Sequence, residues 1–294
     1  MKPEILTIVV TYNAMKWLDR CLGSLIQSEV PTDIMIIDNG SVDGTCEYIS
    51  RNHPNVRLVR SDENLGFGQA NNEGLRYALE HQYRYVYLMN QDAWISKDTL
   101  GALVSAMESD STIGILSPMQ MTSSGDRPDP RFAKWCPEKA LMEYASSEDN
   151  GGEVHEIPFV MAAHWMISRE CLQKTGGFSP SFPHYGEDDN FIHRALYHGF
   201  RCGICSGAGA VHDRDRRPMT KLQSMKLKCI ASVVKISNPL NCLAWRLVRQ
   251  PLELIAIAVR YASPYVLGEM FRMIGRYPEL IRNRKISKGL CPFL

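Results

Sequence analysis

Ile5-Leu6-Thr7-Ile8-Val9-Val10, followed at once by Thr11-Tyr12-Asn13, is the stretch on which the fold turns. An apolar run rich in β-branched residues reads as a strand buried on both faces rather than a half-exposed edge, and such strands belong to parallel sheets covered by helices. Working outward, Trp17, Leu18, Cys21, Leu22, Leu25 and Ile26 recur at helical spacing and stop before Pro31. The same reading predicts strands over 34–37, 56–59, 85–89 and 113–116, alternating with helices over 44–50, 69–80 and 98–107. Such alternation predicts an α/β fold with a mainly parallel central sheet, helices on both faces, and ligands bound beyond the carboxyl ends of the strands. Thr11-Tyr12-Asn13, Asp38-Asn39-Gly40 and Asn90-Gln91-Asp92 all stand at such ends, so three loops are expected to converge on one crevice. Residues 122–158 dissolve into Ser, Gly, Asp and Pro and read as a long loop or flap. A strand over 159–167 and a helix over 187–198 follow.

The chain of 294 residues is 45% hydrophobic and 22% charged, which excludes disordered, collagen-like and coiled-coil classes. A net charge of +1 hides an asymmetry: from Arg214 to the end, 16 Lys and Arg stand against 4 Asp and Glu. The expected organisation is an α/β domain over 1–213 and a basic, mainly helical C-terminal extension over 214–294. In that extension Leu243, Leu247, Leu254, Ile255, Ala258 and Val259 recur at helical spacing, with Arg246, Arg249, Arg260, Arg272 and Arg276 among them. Such helices either pack on the first domain or lie peripherally on an anionic membrane surface. The most apolar stretch, 252–267, is broken by Glu253 and Arg260 and falls short of the roughly 20 residues that a spanning helix needs, so no transmembrane helix is expected. Nine scattered cysteines, with no signal-peptide pattern at the N-terminus, point to a reducing, cytoplasmic setting. The lone Cys202/Cys205 pair reads as core rather than as a zinc site.

Several residues offer chemistry. Asp38, Asn39 and Asp43 supply short acceptor side chains suited to ribose hydroxyls or base edges, and equally suited to turns and helix caps. The Gly66/Gly68 pair falls short of a dinucleotide fingerprint and fits a turn as well. Asp92 closes an apolar strand, where a carboxylate can hold a hard divalent cation; for capping the next helix Asp98 is better placed. Glu187, Asp188 and Asp189 open a helix whose apolar residues Phe191, Ile192, Ala195 and Leu196 centre on the direction of Asp188, with its two neighbours about 90–110° to either side. The helix dipole accounts for three acids in one turn, but not for one of them on a buried stripe. His212 is a ligand only if it meets Asp92 in space; otherwise it is structural.

In order and spacing these segments resemble the family 2 glycosyltransferases, inverting enzymes of the nucleotide-binding GT-A fold, and particularly their rhamnosyltransferase-like bacterial members. The resemblance runs from residue 5 to about residue 215. Val9 to Asn13 looks like the family's opening strand and loop, and Ile37 to Thr45 like its nucleotide-binding turn. Asn64-Leu65-Gly66-Phe67-Gly68 with Asn71, Asn72 and Gly74 is similar to its glycine-and-asparagine segment. Asn90-Gln91-Asp92 stands in the place of the DxD-type metal motif, Gly176-Gly177-Phe178 precedes the acceptor-side loop, and Tyr185-Gly186-Glu187-Asp188 resembles the catalytic ED motif.

The resemblance implies donor binding by Thr11, Tyr12, Asn13, Asp38, Asn39, Asp43, Asn64, Gly66, Asn71, Asn90 and Gln91. It implies catalysis by Asp188 with Glu187, and a divalent cation, Mn²⁺ or Mg²⁺, on Asp92 and His212. The donor it implies is a nucleotide-diphosphate sugar, dTDP-rhamnose or a UDP-sugar. The acceptor is a glycan or lipid-linked glycan of bacterial surface polysaccharide synthesis, at the inner face of the cytoplasmic membrane. Two departures stand out: Asn90 and Gln91 leave a single acid in the metal motif, and Asn190 replaces an acid that many relatives carry after the ED pair. Other classes fit less well. A sugar nucleotidyltransferase needs a Gly-rich, basic loop after the first strand, and Thr11-Tyr12-Asn13-Ala14 is different chemistry. The basic tail carries no nucleic-acid reader motif. A non-catalytic nucleotide-sugar or carbohydrate-binding module of the same fold has no need to retain Asp38, Asp92, Asp188 and His212 together.

Overall fold

The structure, a computed structural model, describes residues 3–146, 152–213 and 219–294. It opens with β1 (Ile5–Thr11), α1 (Leu18–Ile26), β2 (Thr32–Asp38), α2 (Thr45–Asn52), β3 (Arg57–Arg60), α3 (Gly66–Glu80) and β4 (Tyr85–Asn90). These strands pair in parallel in the order β3-β2-β1-β4. Register sets Thr11 beside Asp38 and Val10 beside Asn90, so the three polar strand ends are level, as expected. Along β1 successive side chains enter opposite cores: Ile8 packs with Leu75, Leu88 and Trp165, and Val9 with Leu22, Ile36 and Leu103. Gly74 lets α3 close on the sheet, since a Cβ there would lie 2.6 Å from Ile8 Cδ1.

Beyond β4 come β5 (Ala93–Ile95), α4 (Thr99–Ser109), β6 (Ile113–Met121), α5 (Glu138–Ser146), β7 (Val154–Glu156), β8 (His164–Ser168), α6 (Arg169–Thr175), α7 (Glu187–Tyr197) and β9 (Arg201–His212). Here the sheet becomes mixed. Its order continues β4-β8-β6-β9-β5 with β7 also on β9; β6 and β9 are parallel, whereas β8 runs antiparallel to β4 and β6. A fully buried strand carries no directional signal in its composition, so the parallel expectation holds only where helices separate successive strands.

Three sequence expectations are corrected. The stretch 122–158 is not one loop: it holds a 3-10 turn (Phe132–Lys134), α5 and β7, anchored by the buried side chains of Phe132, Ala140 and His155. The strand expected from 159 starts only at His164, and Phe159, Met161, Ala162 and Ala163 line a cavity instead. β9 went unread because glycine hides strand character. Gly203 and Gly209 are there for close approach, a Cβ on them lying 2.9 Å from Val154 Cγ1 and 2.5 Å from Tyr144 Oη.

The C-terminal part forms α8 (Lys221–Ser237), α9 (Leu243–Arg260), α10 (Pro264–Gly275) and α11 (Tyr277–Ile286). A capping box between Thr220 and Gln223 starts α8, and α9 continues through Pro251. Residues 214–218, with Arg214, Arg216 and Arg217 of the basic tail, lie outside the described residues. Met225, Cys229, Leu254, Ala258, Val266 and Met273 build a helical core of their own. The helices are also tied to the sheet domain: Arg276 Nη2 donates to Ser181 O at 2.9 Å, Asn283 Nδ2 to Ser181 Oγ at 2.9 Å, and Gly177 N to Pro292 O at 2.8 Å. No helix among the described residues is long and apolar enough to cross a membrane.

Candidate active site

At the level strand ends the first two loops are stitched together. Thr11 Oγ1 donates to Asp38 Oδ1 at 2.7 Å and Ser41 N donates to Asp38 Oδ2 at 2.8 Å. Burial works against the charge of Asp38, yet the hydrogen bonds from Ser41 and Thr11 outweigh it and hold the carboxyl below its ordinary range. Asn13, with φ of +52°, receives Val42 N on its Oδ1 at 2.9 Å, and Asp43 receives Met15 N and Thr45 N, each at 3.1 Å. Gln91 joins the third loop to the first, accepting from Tyr12 N at 2.7 Å and donating to Tyr12 O at 3.2 Å. Asn39 takes Leu65 N on its Oδ1 at 3.3 Å. Thr11, Tyr12, Asn13, Asp38, Asn39, Asp43 and Gln91 therefore come together.

Asn64 and Asn71 are used differently. Asn64 Oδ1 accepts from Gly66 N at 2.9 Å, closing the turn in which Gly66 adopts φ of +76°. Asn71 Nδ2 donates to Phe67 O within its own helix at 2.9 Å, and the residue is buried. Asn72, beside it, clamps the Gly176-Gly177-Phe178 segment, accepting from Phe178 N at 2.6 Å and donating to Phe178 O at 3.0 Å.

The condition set on His212 is met. β5 pairs with the end of β9 with Ala93 opposite His212, which brings His212 Nε2 to 3.4 Å from Asp92 Oδ1 and 3.4 Å from Asn90 Nδ2. His212 is buried, and Asp92 is partly exposed. One imidazole and one hard carboxylate make a donor set that suits a divalent cation whose remaining ligands are oxygens. A second group, Glu143, Glu153 and His155, has ligand atoms within 4.8 Å of one another. It lies apart, on α5 and at the start of β7, and already holds a cation, because Lys139 Nζ is 2.6 Å from Glu153 and 3.5 Å from Glu143.

A cavity of about 720 Å³ opens beside Asn90, lined by Asn90, Arg131, Tyr185, Glu187, Asp188 and Asp189 among others. The inward direction of α7 differs from expectation. Besides Phe191, Ile192 and Ala195, the polar Asn190 and Arg194 are buried, which turns the buried face about 65° away from Asp188 and to about 35° from Glu187. A count of apolar residues cannot see this. Arg194 is fully buried because its Nη2 meets Gly177 O at 2.6 Å, its Nε meets Asn190 Oδ1 at 3.1 Å, and its Nη1 meets Thr175 O. Burial pulls its pKa down to about 9. Asn190, the departure from the family pattern, thus holds Arg194.

Glu187 Oε2 is buried without a hydrogen-bond partner among the described residues. Burial first, then the charge of Asp188, pushes the carboxyls of Glu187 and Asp189 up to about 7 each. The two flanking acids therefore titrate near neutrality beside Asp188. Gly186, with φ of +86°, precedes them, and a Cβ there would lie 2.8 Å from Val234 Cγ2 of α8. That approach makes α8 a wall of the cavity through Leu227, Ile230, Ala231, Val234 and Lys235. Sequence reasoning missed this wall, although the spacing of Leu227, Ile230, Ala231 and Val234 is that of one helix face. It also missed Arg131, His184 and His193 on the cavity.

Residues 7–176 match the profile of glycosyl transferase family 2. The chain belongs to that family. A low-salt glycan biosynthesis hexosyltransferase, Agl10, of Haloferax volcanii is 25% identical over 187 residues, covering 62% of this chain and 59% of the relative, less than two thirds of its length. An N-acetylglucosaminyl-diphospho-decaprenol L-rhamnosyltransferase of Mycobacterium tuberculosis is 42% identical over 71 residues, 24% of this chain and 23% of that one. Among solved structures, a mannosyltransferase from Pyrobaculum calidifontis in complex with GDP-Man and Mn²⁺ superposes with a TM-score of 0.55 at 19% identity, covering 95% of this chain and 76% of that chain. This family 2 glycosyltransferase thus has the GT-A fold, an α/β mixed sheet followed by C-terminal helices.

Proposed function

We propose that the protein is an inverting, metal-dependent glycosyltransferase moving a sugar from a nucleotide-diphosphate donor to a hydroxyl of a glycan or lipid-linked glycan in bacterial surface polysaccharide synthesis. One observation carries the reading: Asn90 both touches His212 of the Asp92 pair and lines the cavity that holds Asp188, so a single residue joins the candidate cation site to the cavity of the candidate base. In this reading Asp188 takes the proton of the acceptor hydroxyl as its oxygen bonds to the anomeric carbon, and the bond from that carbon to the diphosphate breaks. A single displacement inverts the centre. Glu187 and Asp189, raised to about 7, are about half protonated near neutrality, which lowers the like charge around Asp188. A cation held by Asp92 and His212 would stabilise negative charge on the departing diphosphate.

Asp38, Asn13, Asp43, Tyr12, Thr11 and Gln91 frame the nucleotide, and Asn39, Asn64, Gly66 and Asn71 hold the shape of the adjoining turn. We assign catalysis to residues 1–213 and treat 214–294 as an extension that completes the acceptor side. Its apolar wall, with Arg131 and Lys235 also on the cavity, supports an acceptor that is part apolar and part anionic, as a lipid diphosphate glycan is. Such an acceptor stays at the inner face of the cytoplasmic membrane, where the basic helices make a peripheral contact. The names of the archaeal and mycobacterial relatives, in glycan biosynthesis and in rhamnosyl transfer to a lipid-linked sugar, agree with this reading. The test is a thermal-shift panel of dTDP-rhamnose, UDP-sugars and GDP-sugars with and without Mn²⁺. A rise in Tm for one donor, larger with Mn²⁺, is expected; no shift with any donor contradicts the proposal.

A further inference from the structure

α9 is apolar on two sides, whose centres lie about 120° apart. Leu247, Leu254 and Ala258 face the helical core, whereas Trp245, Val248, Leu252, Ile255 and Val259 are 40% to 76% exposed. At 100° per residue these five fall within an arc of about 80°, a stripe about 21 Å long. The neighbouring α10 repeats the arrangement, with Val266, Met270 and Met273 inside and Leu267, Phe271 and Ile274 outside. A helix apolar on both sides has one side still to be covered. The charge of the C-terminal part as a whole says by what. Between Met219 and Leu294 there are 13 Lys and Arg against Glu253, Glu269 and Glu279. Each of those acids is already paired, with Lys235 and Arg249, with Arg272, and with Arg276. Arg260, Arg282, Lys285 and Lys288 are exposed. A second copy docked through the same face would set two basic surfaces against each other. An anionic lipid surface offers hydrocarbon for the stripe and headgroups for the cations.

We infer that the outer stripe of α9, with the exposed residues of α10, is the surface by which the protein lies in an anionic bilayer. The inference rests on the peripheral contact proposed above and adds the face that makes it. α8 supplies the link to function: Leu227, Ile230, Ala231 and Val234 line the cavity, while Met225, Cys229 and Ile236 on its opposite side belong to the core it shares with α9. Two packed helices, α8 and α9, thus stand between the acceptor side and the lipid.

Flotation of the full chain with phosphatidylcholine vesicles, with and without 30% phosphatidylglycerol, tests this at low and high salt. The comparison is with Val248→Ser/Leu252→Gln/Val259→Ser, whose substitutions fall on exposed positions. Wild type should float with the anionic vesicles at low salt and the variant at least ten-fold less, with unchanged Tm and unchanged nucleotide binding. Brominated lipid should quench the fluorescence of unmodified protein and spare the Trp245→Phe variant. A variant that floats like wild type overturns the α9 face while leaving a contact through charge alone. Failure of wild type to float at low salt overturns both readings. A dimer by light scattering that the triple variant dissociates assigns the face to a second copy and overturns the lipid.

Discussion

Asp188 acts in company, and its neighbours make the sharpest residue-scale prediction. Glu187 and Asp189 titrate near 7 in the folded chain, above their ordinary values of 4.5 and 3.8. The folded state therefore holds these protons more tightly than the unfolded one. Their contribution to stability is complete below about pH 4 and is lost as pH rises to about 7. Urea melts of the ligand-free protein from pH 4 to 8 should show this decline, and Glu187→Gln/Asp189→Asn should flatten it; an unchanged slope contradicts the assignment. Next to Asn90, Asp92→Ala and His212→Ala should each weaken Mn²⁺-dependent nucleotide binding at least ten-fold, with excess Mn²⁺ partly restoring one of them. If EDTA leaves wild-type turnover untouched, the cation has no place in the reaction.

At the scale of elements, Gly186 decides how α7 meets α8. An alanine there would adopt a left-handed backbone and push its Cβ against Val234 and Ile230. Gly186→Ala should cost about 1–3 kcal/mol of stability, and adding Val234→Ala should recover part of it in denaturant melts; full stability in the single variant would show that α8 does not press on this turn. The elements also show what a sequence reveals. β1, β2 and β4 were legible because apolar runs end abruptly in Thr11, Asp38 and Asn90, and α1 because its apolar residues repeat at helical spacing. The three loops at the strand ends were legible for the same reason, and the Asp188 turn as three acids opening a helix. β9 was not, since its glycines serve close packing and carry no strand preference. The facing of α7 was misjudged because Asn190 and Arg194 are buried through hydrogen bonds, and hydropathy scores such residues as exposed. The meeting of Asp92 with His212, 120 residues apart in sequence, is a product of β5 pairing with β9 and has no local signal.

For the whole molecule, the C-terminal helices are part of the cavity as well as an addition to it. Their periodicity divides between faces: α8 lines the cavity beside Asp188, and the outer side of α9 is exposed. The account as a whole stands on Asp188 being the base in that shared space. The most direct measurement is the single-turnover transfer rate of Asp188→Asn with the donor identified by the nucleotide panel, alongside the donor's Kd. The substitution keeps size and hydrogen bonding and removes basicity, so the rate should fall at least ~10²-fold while Kd changes less than about two-fold. Near-normal turnover with intact donor binding would contradict the account and move the base to Glu187.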